Sequence, residues 1–489
     1  MTDIEKQVDV KESSGQQTPE APSEHGIVDT IPYIDPELEK RVLRKFDVWL
    51  LPQMMLLMLV SNLDRSNIGN ARVFGFEEDL GLQGTQFNNI STVFYATYVV
   101  CEVPWVMAVK RFGANKVLAA AILSWSIVTL GTGFIHNYHQ AIAVRVLLGA
   151  TEAGLTPALS FVQSTIWDRQ SQAKRISLLY MSICLSGAFG GLIAYGIQTM
   201  GKRHGLAAWR WLFIVEGIIS IGIGIIAWFT LPRSAESAWF LNEEEKALMR
   251  ARKIKLAMFK GADEFSWKFA KRAFTDPFVY LAACLLFASS IPLFGFTTFL
   301  PTILRGLGHT GLAANYLSIP PYILASISLI SWTTLSDKLN KRALIAFFAP
   351  MSCILGYAIV VGTPNAAAGY LAMFLCAAGI YPYNATLLTW VSNTLAPDDK
   401  RAVGIPLFAS LANISGVVAS QIYPSSDGPR YVMGNAVSLG METIACGGIV
   451  AIWLLLSRRD KVKAKMEDEG IEDNGYAGED RGLGFRYTL

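Results

Sequence analysis

The sequence contains few charged residues for its length. Only 17% of its 489 residues are Asp, Glu, Lys or Arg, whereas soluble domains carry about 25%. Hydrophobic residues make up 52% of the chain, and the mean hydropathy is +0.35. This balance excludes an ordinary soluble protein and predicts that lipid solvates much of the chain.

Features that mark enzymes and secreted proteins are also missing. The six cysteines form no CxxC pair and all fall in apolar stretches, so we interpret them as packing residues and not as disulfides or a zinc site. The sequence has no phosphate-binding loop, metal-ligand cluster or nucleophile elbow. We therefore expect no enzyme activity, no bound cofactor and no nucleic-acid partner.

Apolar stretches long enough to cross a bilayer recur along the chain. A membrane helix needs about 20 apolar residues, and we place such stretches at 46–68, 87–107, 117–135, 139–161, 176–198, 209–231, 277–299, 314–336, 343–362, 367–390, 402–423 and 434–456. We predict an all-α membrane protein of twelve transmembrane helices. An N-terminal six-helix half (46–231) and a C-terminal six-helix half (277–457) are separated by a hydrophilic linker loop (232–276).

Both ends of the chain are polar. Residues 1–45 and 458–489 are rich in charged and small residues, and we predict that both are disordered tails. Segments on the same side of the membrane as the tails carry 34 Lys and Arg, and those on the opposite side carry 7 when Arg65 and Arg210, near the ends of their spans, are counted with them. The positive-inside rule then places both termini in the cytoplasm.

Ionisable residues inside the spans are rare. A charged side chain at the centre of a membrane costs about 2.5–3.5 kcal/mol on insertion scales, so each one indicates a functional site. Beyond the first two residues of each span, they are Asp64, Arg65, Glu102, Arg145, Glu152, Glu216 and Glu442. We expect Glu102 and Glu216 to make hydrogen bonds that pack helices, and Glu442 to lie near the membrane surface.

Two of these residues share the fourth span. Arg145 and Glu152 are seven residues apart, so they lie on one helix face, about 10 Å apart along its axis, and Gly149 between them lets a neighbouring helix approach. Arg donates two hydrogen bonds to a carboxylate and stays charged in a dry cavity. The spacing favours an anion on Arg145 while Glu152 or Asp64 exchanges a proton. The alternative is a permanent bridge between arginine and carboxylate that only holds helices together.

Aromatic and amide side chains complete the candidate pocket. Tyr95 and Tyr98 lie one turn apart in the second span, Trp390 lies in the tenth and Asn413 in the eleventh. We predict that these four side chains contact a substrate, although most aromatic residues in membrane spans only pack. The glycines and prolines of the spans suit bent helices and do not identify a substrate.

The loops after spans two and eight carry a related pattern. Arg111 and Gly113 stand in the first loop, and Asp337 and Lys338 stand in the second. Two halves joined by a long loop, each with the pattern G-x-x-x-D-R-x-G-R-R, are typical of major facilitator transporters, in which the pattern forms a cytoplasmic latch. Both copies are incomplete here, and Lys110 replaces the acidic residue of the first.

Six motifs carry a closer resemblance. They are LDRSNIGNA, RVLLGATEAGLTPA, LSGAFGGLIAYG, WRWLFIVEG, TWVSNTLAPDDKRAV and SQIYPSSDGPRYVMGN. Together they resemble the fungal anion:cation symporter branch of the major facilitator superfamily, which includes allantoate, nicotinate, pantothenate and biotin permeases. The resemblance spans nearly everything between residues 40 and 460. It implies two halves that rock about a midplane site and proton-driven uptake of a small organic anion across the plasma membrane.

The resemblance also implies residue roles. In the wider branch, which includes bacterial sugar-acid/proton symporters and vesicular glutamate transporters, one arginine on the first helix and one on the fourth bind the substrate carboxylate. Arg65 and Arg145 match them, and Glu152 matches a glutamate that titrates. Asp64 matches an acidic neighbour that some symporters protonate, and Asn413 matches a polar cavity residue. We expect a monomer that uses the proton gradient and no cofactor.

Two other functions remain open from the sequence. The same scaffold can run in the opposite direction, as an exporter of a fungal secondary metabolite. A transporter-like nutrient sensor is the other alternative, although such sensors tend to have long cytoplasmic extensions and the tails here are short.

Overall fold

The structure is a computed structural model that describes residues 34–167, 169–259, 267–339, 341–471, 474–476 and 479–487. Within these ranges the regular structure is helical, apart from an isolated bridge between Arg203 and Leu206. Residues 1–33 of the predicted N-terminal tail lie outside the described residues.

Twelve helices in the described part are long and apolar enough to cross a membrane, as predicted. In chain order they are α1 Pro36–Arg72, α2 Gln86–Val109, α3 Ala114–Thr132, α4 Tyr138–Gln163, α5 Arg175–Met200, α6 Ala208–Thr230, α7 Pro277–Gly306, α8 Gly311–Ser336, α9 Arg342–Gly362, α10 Ala366–Thr394, α11 Val403–Gln421 and α12 Val432–Asp468. Shorter helices between them are Phe76–Asp79, Glu243–Phe259 and Trp267–Thr275.

Short polar side chains begin several of these helices. Asn137 caps α4, Asp276 caps α7 and Asn365 caps α10, each by accepting hydrogen bonds from backbone N–H groups of the first turn. These N–H groups have no partner within the helix, and such a cap contributes about 1 kcal/mol. The loop residues therefore set where each span starts.

The helices form two halves that meet along a seam. Helices α1–α6 form the N-half and α7–α12 form the C-half. Across the seam, α5 packs on α8, α1 packs on α7 and α2 packs on α11. Prolines interrupt the hydrogen-bond ladders of α7 and α8, and proline is a common cause of helix bending. Most of the ionisable residues of the spans lie on α1 and α2, which pack across this seam, and on α4, which packs on α2.

Both ends of the described chain and the linker lie on one face of the bundle, which we call the linker face. Lys45 of α1 pairs with Glu245 of the linker helix Glu243–Phe259 at 2.7 Å. Arg252 of the same linker helix pairs with Glu39 at 3.1 Å. The linker is therefore attached to the N-half, and the opposite helix ends form the distal face.

Hydrogen bonds join the two halves at the distal face. Arg72 at the end of α1 donates to Ser425 Oγ at 2.6 Å. Gln421 at the end of α11 donates to Thr92 Oγ1 of α2 at 2.7 Å. Asn88 of α2, which is fully buried, donates to the backbone carbonyl groups of Ser420 in α11 and Tyr423 just after it. The structure is therefore closed on its distal face.

Gly69 marks the closest approach of α1 to α7. A Cβ atom built on Gly69 would lie 1.8 Å from the carbonyl oxygen of Thr298, far inside any possible contact. Small residues allow helix backbones in membranes to approach in this way. Any larger residue at position 69 therefore conflicts with the closed distal face.

We expect Gly69→Ala to shift the protein toward a distal-open state. Overpacking costs about 1–3 kcal/mol, which corresponds to a roughly 5- to 150-fold change in the equilibrium. A cysteine placed at Asn88, buried in the closed state, should then react faster with a membrane-impermeant maleimide. Gly131→Ala is the matched control, because a Cβ atom there meets nothing within 4 Å. Equal labelling rates in the two variants would contradict the expectation.

The N-terminal tail differs from the prediction over its described part. We predicted disorder over residues 1–45, but α1 begins at Pro36, and the side chain of Asp35 caps it. Val42 and Phe46 are buried in the N-half core. The first part of α1 is amphipathic and lacks the continuous apolar run that indicates a span. The sequence therefore predicted that the first span starts later, at residue 46.

The C-terminal region also differs from the predicted disordered tail at 458–489. Helix α12 continues to Asp468, and Asp480 lies buried against the C-half. Lys400 contacts Asp480 at 2.7 Å and Asp276 at 2.6 Å. Pairing with buried cations gives the acidic C-terminal segment a fixed position, which composition alone does not reveal.

Asp276 is the centre of this ion-pair group. Burial acts to raise the pKa of Asp276, but Lys400 and Arg459 outweigh it, so the pKa is well below its usual range. The carboxylate stays ionised and binds Arg459 at 2.7 Å. Together these pairs connect the start of α7, the residues before α11 and the end of α12.

Candidate functional site

Arg65 of α1 and Glu152 of α4 form a buried ion pair. Arg65 Nε donates to Glu152 Oε1 at 2.7 Å, and Ser61, one turn before Arg65, donates to the same oxygen. Glu152 is fully buried, whereas 15% of the Arg65 side chain is exposed. The pair joins α1 to α4 and leaves the arginine reachable by a ligand.

The guanidinium group of Arg65 also lies over aromatic rings of α2. Its central carbon is 4.6 Å from the ring centroid of Tyr98 and 5.5 Å from that of Phe94. Cation–π contacts of this kind contribute about 0.5–1 kcal/mol or more and orient the cation. The Tyr98 hydroxyl lies 3.2 Å from Thr156 Oγ1 of α4. The structure thus brings Tyr98 to Arg65, and it adds Phe94 and Ser61, which the sequence reasoning missed.

The backbone of α4 is adapted to this position. A Cβ atom on Gly149 would lie 2.4 Å from the carbonyl oxygen of Phe94, so the glycine allows α2 to approach α4 as predicted. The first part of α4 ends at Glu152, and the helix resumes at Leu155. Irregular backbone at membrane depth is tolerated where protein buries it or where it lines a cavity.

Arg145 precedes Glu152 by two turns but does not hold it. Its side chain is buried, with 3% relative exposure, and Nη2 has no hydrogen-bond partner among the described residues. Its electrostatic neighbours are Glu152 and Asp64. A structural bridge between helices therefore remains the alternative for the pair of Arg65 and Glu152, but Arg145 takes no part in it. Arg145 retains donor capacity for an anion.

Asp64 of α1 is an electrostatic neighbour of Glu152 and Arg145. It is 1% exposed, and neither carboxyl oxygen has a hydrogen-bond partner in the part of the chain that the structure describes. Trp125 and Thr129 of α3 lie beside it, and Glu216 of α6 is an acidic neighbour. We had expected Glu216 to make a packing hydrogen bond, but both its oxygens also lack a described partner. We call these five residues the charge cluster: Asp64, Arg65, Arg145, Glu152 and Glu216.

Tyr95 and Asn413 lie at the seam between the halves. The Tyr95 ring centroid is 4.9 Å from that of Phe294 of α7. Asn413 Nδ2 of α11 lies 3.5 Å from Glu102 Oε2 of α2, and Ser410 Oγ lies 3.4 Å from the same oxygen. Both residues therefore meet the opposite half, and Glu102 makes the packing contact that we expected.

Two other residues lie away from the charge cluster. Trp390 is fully buried in the apolar core of the C-half with Val279 and Leu395, so its large apolar area packs and the structure does not bring it to the predicted pocket. Glu442 is also fully buried and accepts a hydrogen bond from Ser289 at 3.1 Å. The sequence indicated a position near the membrane surface for Glu442, and the structure shows that its side chain is buried within the protein, where α12 packs on α7.

The latch residues lie at the linker face. Gly113 forms the turn between α2 and α3 with φ of +87°, a conformation that favours glycine. Arg111 and Lys338 are exposed, and the side chain of Asp337 lies outside the described residues. The latch therefore stays a prediction.

The charge cluster can exchange one carboxylate for another. In the structure, Arg65 holds Glu152, while part of its own side chain stays exposed. Protonation of Glu152 removes the charge that holds Arg65, so the donors of Arg65 become available to a free carboxylate. Arg145 supplies further donors nearby. The geometry would therefore allow anion binding to be linked to proton binding at this site.

Comparison with known proteins identifies the scaffold. The sequence profile of the Major Facilitator Superfamily matches residues 54–420. The chain belongs to the major facilitator superfamily. An uncharacterized transporter of Schizosaccharomyces pombe is 38% identical over 458 residues, which cover 93% of this chain and 94% of that protein. The high-affinity nicotinic acid transporter of Saccharomyces cerevisiae is 35% identical over 437 residues, 89% of this chain and 82% of that one. These relatives confirm the predicted resemblance.

Solved structures show the same fold. The partially occluded inward-open xylose transporter XylE from E. coli has a TM-score of 0.64 at 12% identity, covering 84% of this chain and 97% of that one. A bacterial homolog of the human lysosomal transporter Spinster, in an inward-facing conformation, has a TM-score of 0.63 at 15% identity, covering 86% and 97%. The major facilitator fold is therefore confirmed. This chain is a multi-pass membrane transporter of a small molecule and not an enzyme.

Proposed function

We propose that this major facilitator protein is a symporter that takes up a small organic carboxylate together with protons across the plasma membrane. The observation that carries the proposal is the ion pair of Arg65 and Glu152, which lies beside the seam and next to Arg145. Glu152 already binds the guanidinium group of Arg65, so the carboxylate of a substrate can bind to the same group. The nicotinic acid transporter among the relatives supports an anionic substrate.

In this mechanism, protonation of Glu152 controls whether Arg65 can bind substrate. When Glu152 takes up a proton, Arg65 is released and, with Arg145, binds the substrate carboxylate. The halves then rock about the site, which changes the face from which it is reached. Loss of the proton restores the negative charge of Glu152, which takes Arg65 back and expels the anion. The proton gradient is the energy source, and a single chain with two halves suffices.

The charge distribution supports the orientation. Outside the predicted spans, segments on the linker face carry 34 Lys and Arg, against 5 on the distal side. The positive-inside rule places the linker face, and with it both termini, in the cytoplasm. Closure of the distal face then means that the site is closed to the outside in this structure.

The proposal is tested by uptake into yeast cells that lack their own permeases. Cells expressing the protein receive radiolabelled nicotinate, pantothenate, biotin or allantoate at acidic or neutral external pH. We expect one of these anions to accumulate, and to do so faster at acidic pH, because Glu152 must be protonated from outside before Arg65 is free. If no anion accumulates, or if accumulation is the same at both pH values, the proposal fails. Faster loss of label from preloaded cells would indicate the alternative, an exporter.

A further inference from the structure

Two buried carboxyl groups lie behind the arginines without hydrogen-bond partners. Asp64 of α1 and Glu216 of α6 are 1% and 3% exposed. All four of their carboxyl oxygens lack a partner among the described residues. Asp64 is an electrostatic neighbour of Glu152 and Arg145, and Glu216 is one of Asp64. An isolated buried carboxylate is costly, because neither water nor a donor compensates its charge.

The groups that face this pair come from two other helices. On α4, Arg145 and Glu152 interact electrostatically with Asp64. On α3, the uncharged donor groups of Trp125 and Thr129 face Asp64, although neither completes a hydrogen bond to it among the described residues. Nη2 of Arg145, in a side chain that is 3% exposed, has no partner in the described part of the chain. Arg145 is therefore the cation available to balance the pair.

The charges of the cluster determine how many protons it holds. Arg65 and Glu152 neutralise each other in their 2.7 Å ion pair. The remaining members are one cation, Arg145, and two carboxyl groups, Asp64 and Glu216. If both carboxyl groups were ionised, a buried site would carry an uncompensated negative charge, which groups of this kind avoid by taking up a proton. One proton makes the whole charge cluster neutral.

We infer that Asp64 and Glu216 together hold one resident proton when no substrate is bound. Because Asp64 shares the resident proton, its carboxyl group does not carry a full negative charge to pair with Arg145. Arg145 therefore remains able to bind an anion. A bound monocarboxylate adds one negative charge, and the proton taken up by Glu152 restores neutrality. This consequence for transport rests on the proposed function, but the resident proton itself is a property of the substrate-free protein.

The resident proton is tested by infrared spectroscopy of the purified protein without substrate, near neutral pH. A protonated carboxyl group gives a carbonyl stretching band that shifts in D2O. We compare the wild type with Asp64→Asn, Glu216→Gln and the double variant. Either single substitution should remove the same band, because the acid that remains is then balanced by Arg145. The double variant should remove no more than either single one.

Other outcomes overturn the inference. Two separate bands, lost one by one and additively in the double variant, would mean two acids that are protonated independently. No loss in either single variant would mean that both acids are ionised. Glu442→Gln is the control, because Glu442 is a fully buried glutamate of the C-half with one carboxyl oxygen that lacks a partner among the described residues. Any band that this substitution removes should be unaffected by the substitutions of Asp64 and Glu216.

Arg145→Gln gives a second test if an acid variant fails to fold. Removing the cation leaves Arg65 against three carboxyl groups, so charge balance requires two protons, and the carboxyl band should grow. An unchanged band would contradict the charge count. None of these spectra requires a substrate, so a negative uptake assay and a negative infrared result can be told apart.

Discussion

Replacing Glu152 by glutamine is expected to abolish concentrative uptake while leaving exchange of substrate across the membrane. In the wild type, ionised Glu152 takes Arg65 back at 2.7 Å and so expels the anion. Glutamine keeps the shape of the side chain but carries neither the charge nor the transported proton. Accumulation should fall to the level of protein-free vesicles, whereas binding and rocking of the halves persist.

Two assays in reconstituted vesicles separate these effects. The first measures accumulation driven by an imposed proton gradient, and the second measures counterflow into preloaded vesicles, both with the panel anion that the wild type accumulates. Glu442→Gln is the matched control, because Glu442 is a fully buried carboxyl group in the other half, and it should retain both activities. Gradient-driven accumulation by the Glu152→Gln variant would show that Glu152 does not couple the proton.

Replacing Arg65 by lysine is expected to reduce uptake by about tenfold to 150-fold. A charge-assisted hydrogen bond contributes about 1.5–3 kcal/mol, and each 1.4 kcal/mol corresponds to about a factor of ten. Lysine keeps the charge, but it lacks the planar fork that binds a carboxylate with two hydrogen bonds and stacks over Tyr98 at 4.6 Å. Arg145→Lys should change uptake in the same direction.

Initial uptake rates over a range of substrate concentrations measure this effect. The loss should appear mainly as a higher KM, because the fork binds the substrate before the halves move. Arg203→Lys is the matched control, since Arg203 is exposed in the loop between α5 and α6. If Arg65→Lys behaves like that control, Arg65 does not bind the carboxylate and the ion pair with Glu152 is only structural.

The sequence predicted the membrane fold because the signals for it are local. Length and hydropathy of an apolar stretch are enough to identify a span, and all twelve were found. The high cost of charge in lipid also identified Asp64, Arg65, Arg145 and Glu152 as candidates, because it applies to any ionisable residue within a span. Their burial together follows from that cost.

The pairing within the charge cluster could not be predicted in the same way. Spacing showed that Arg145 and Glu152 share a helix face, but whether Glu152 binds Arg145 or Arg65 depends on the rotation of α1 against α4. Ser61 carried a signal, since it precedes Arg65 by four residues and so shares its helix face. Glu216 carried none, because a single glutamate in an apolar helix is compatible with packing or with a charged site.

Long-range contacts also explain where the predictions differ from the structure. The acidic C-terminal segment has the composition of a disordered tail, and its position depends on Lys400, which lies 80 residues before Asp480 in the chain. Glu442 lies near the end of an apolar stretch, and its burial depends on Ser289 of α7. Neither Lys400 nor Ser289 can be identified as a partner from the local composition around Asp480 or Glu442.

In the proposed mechanism a substrate anion and ionised Glu152 compete for Arg65. The decisive measurement is the Kd of the purified wild type and of Glu152→Gln for the transported anion as a function of pH. If one proton binds with each anion, the Kd of the wild type decreases by about tenfold per pH unit on acidification, since one linked proton corresponds to about 1.36 kcal/mol per unit. The Kd of Glu152→Gln for the same anion should not change with pH. A wild-type Kd that is independent of pH, or a pH dependence that survives in Glu152→Gln, would contradict this competition.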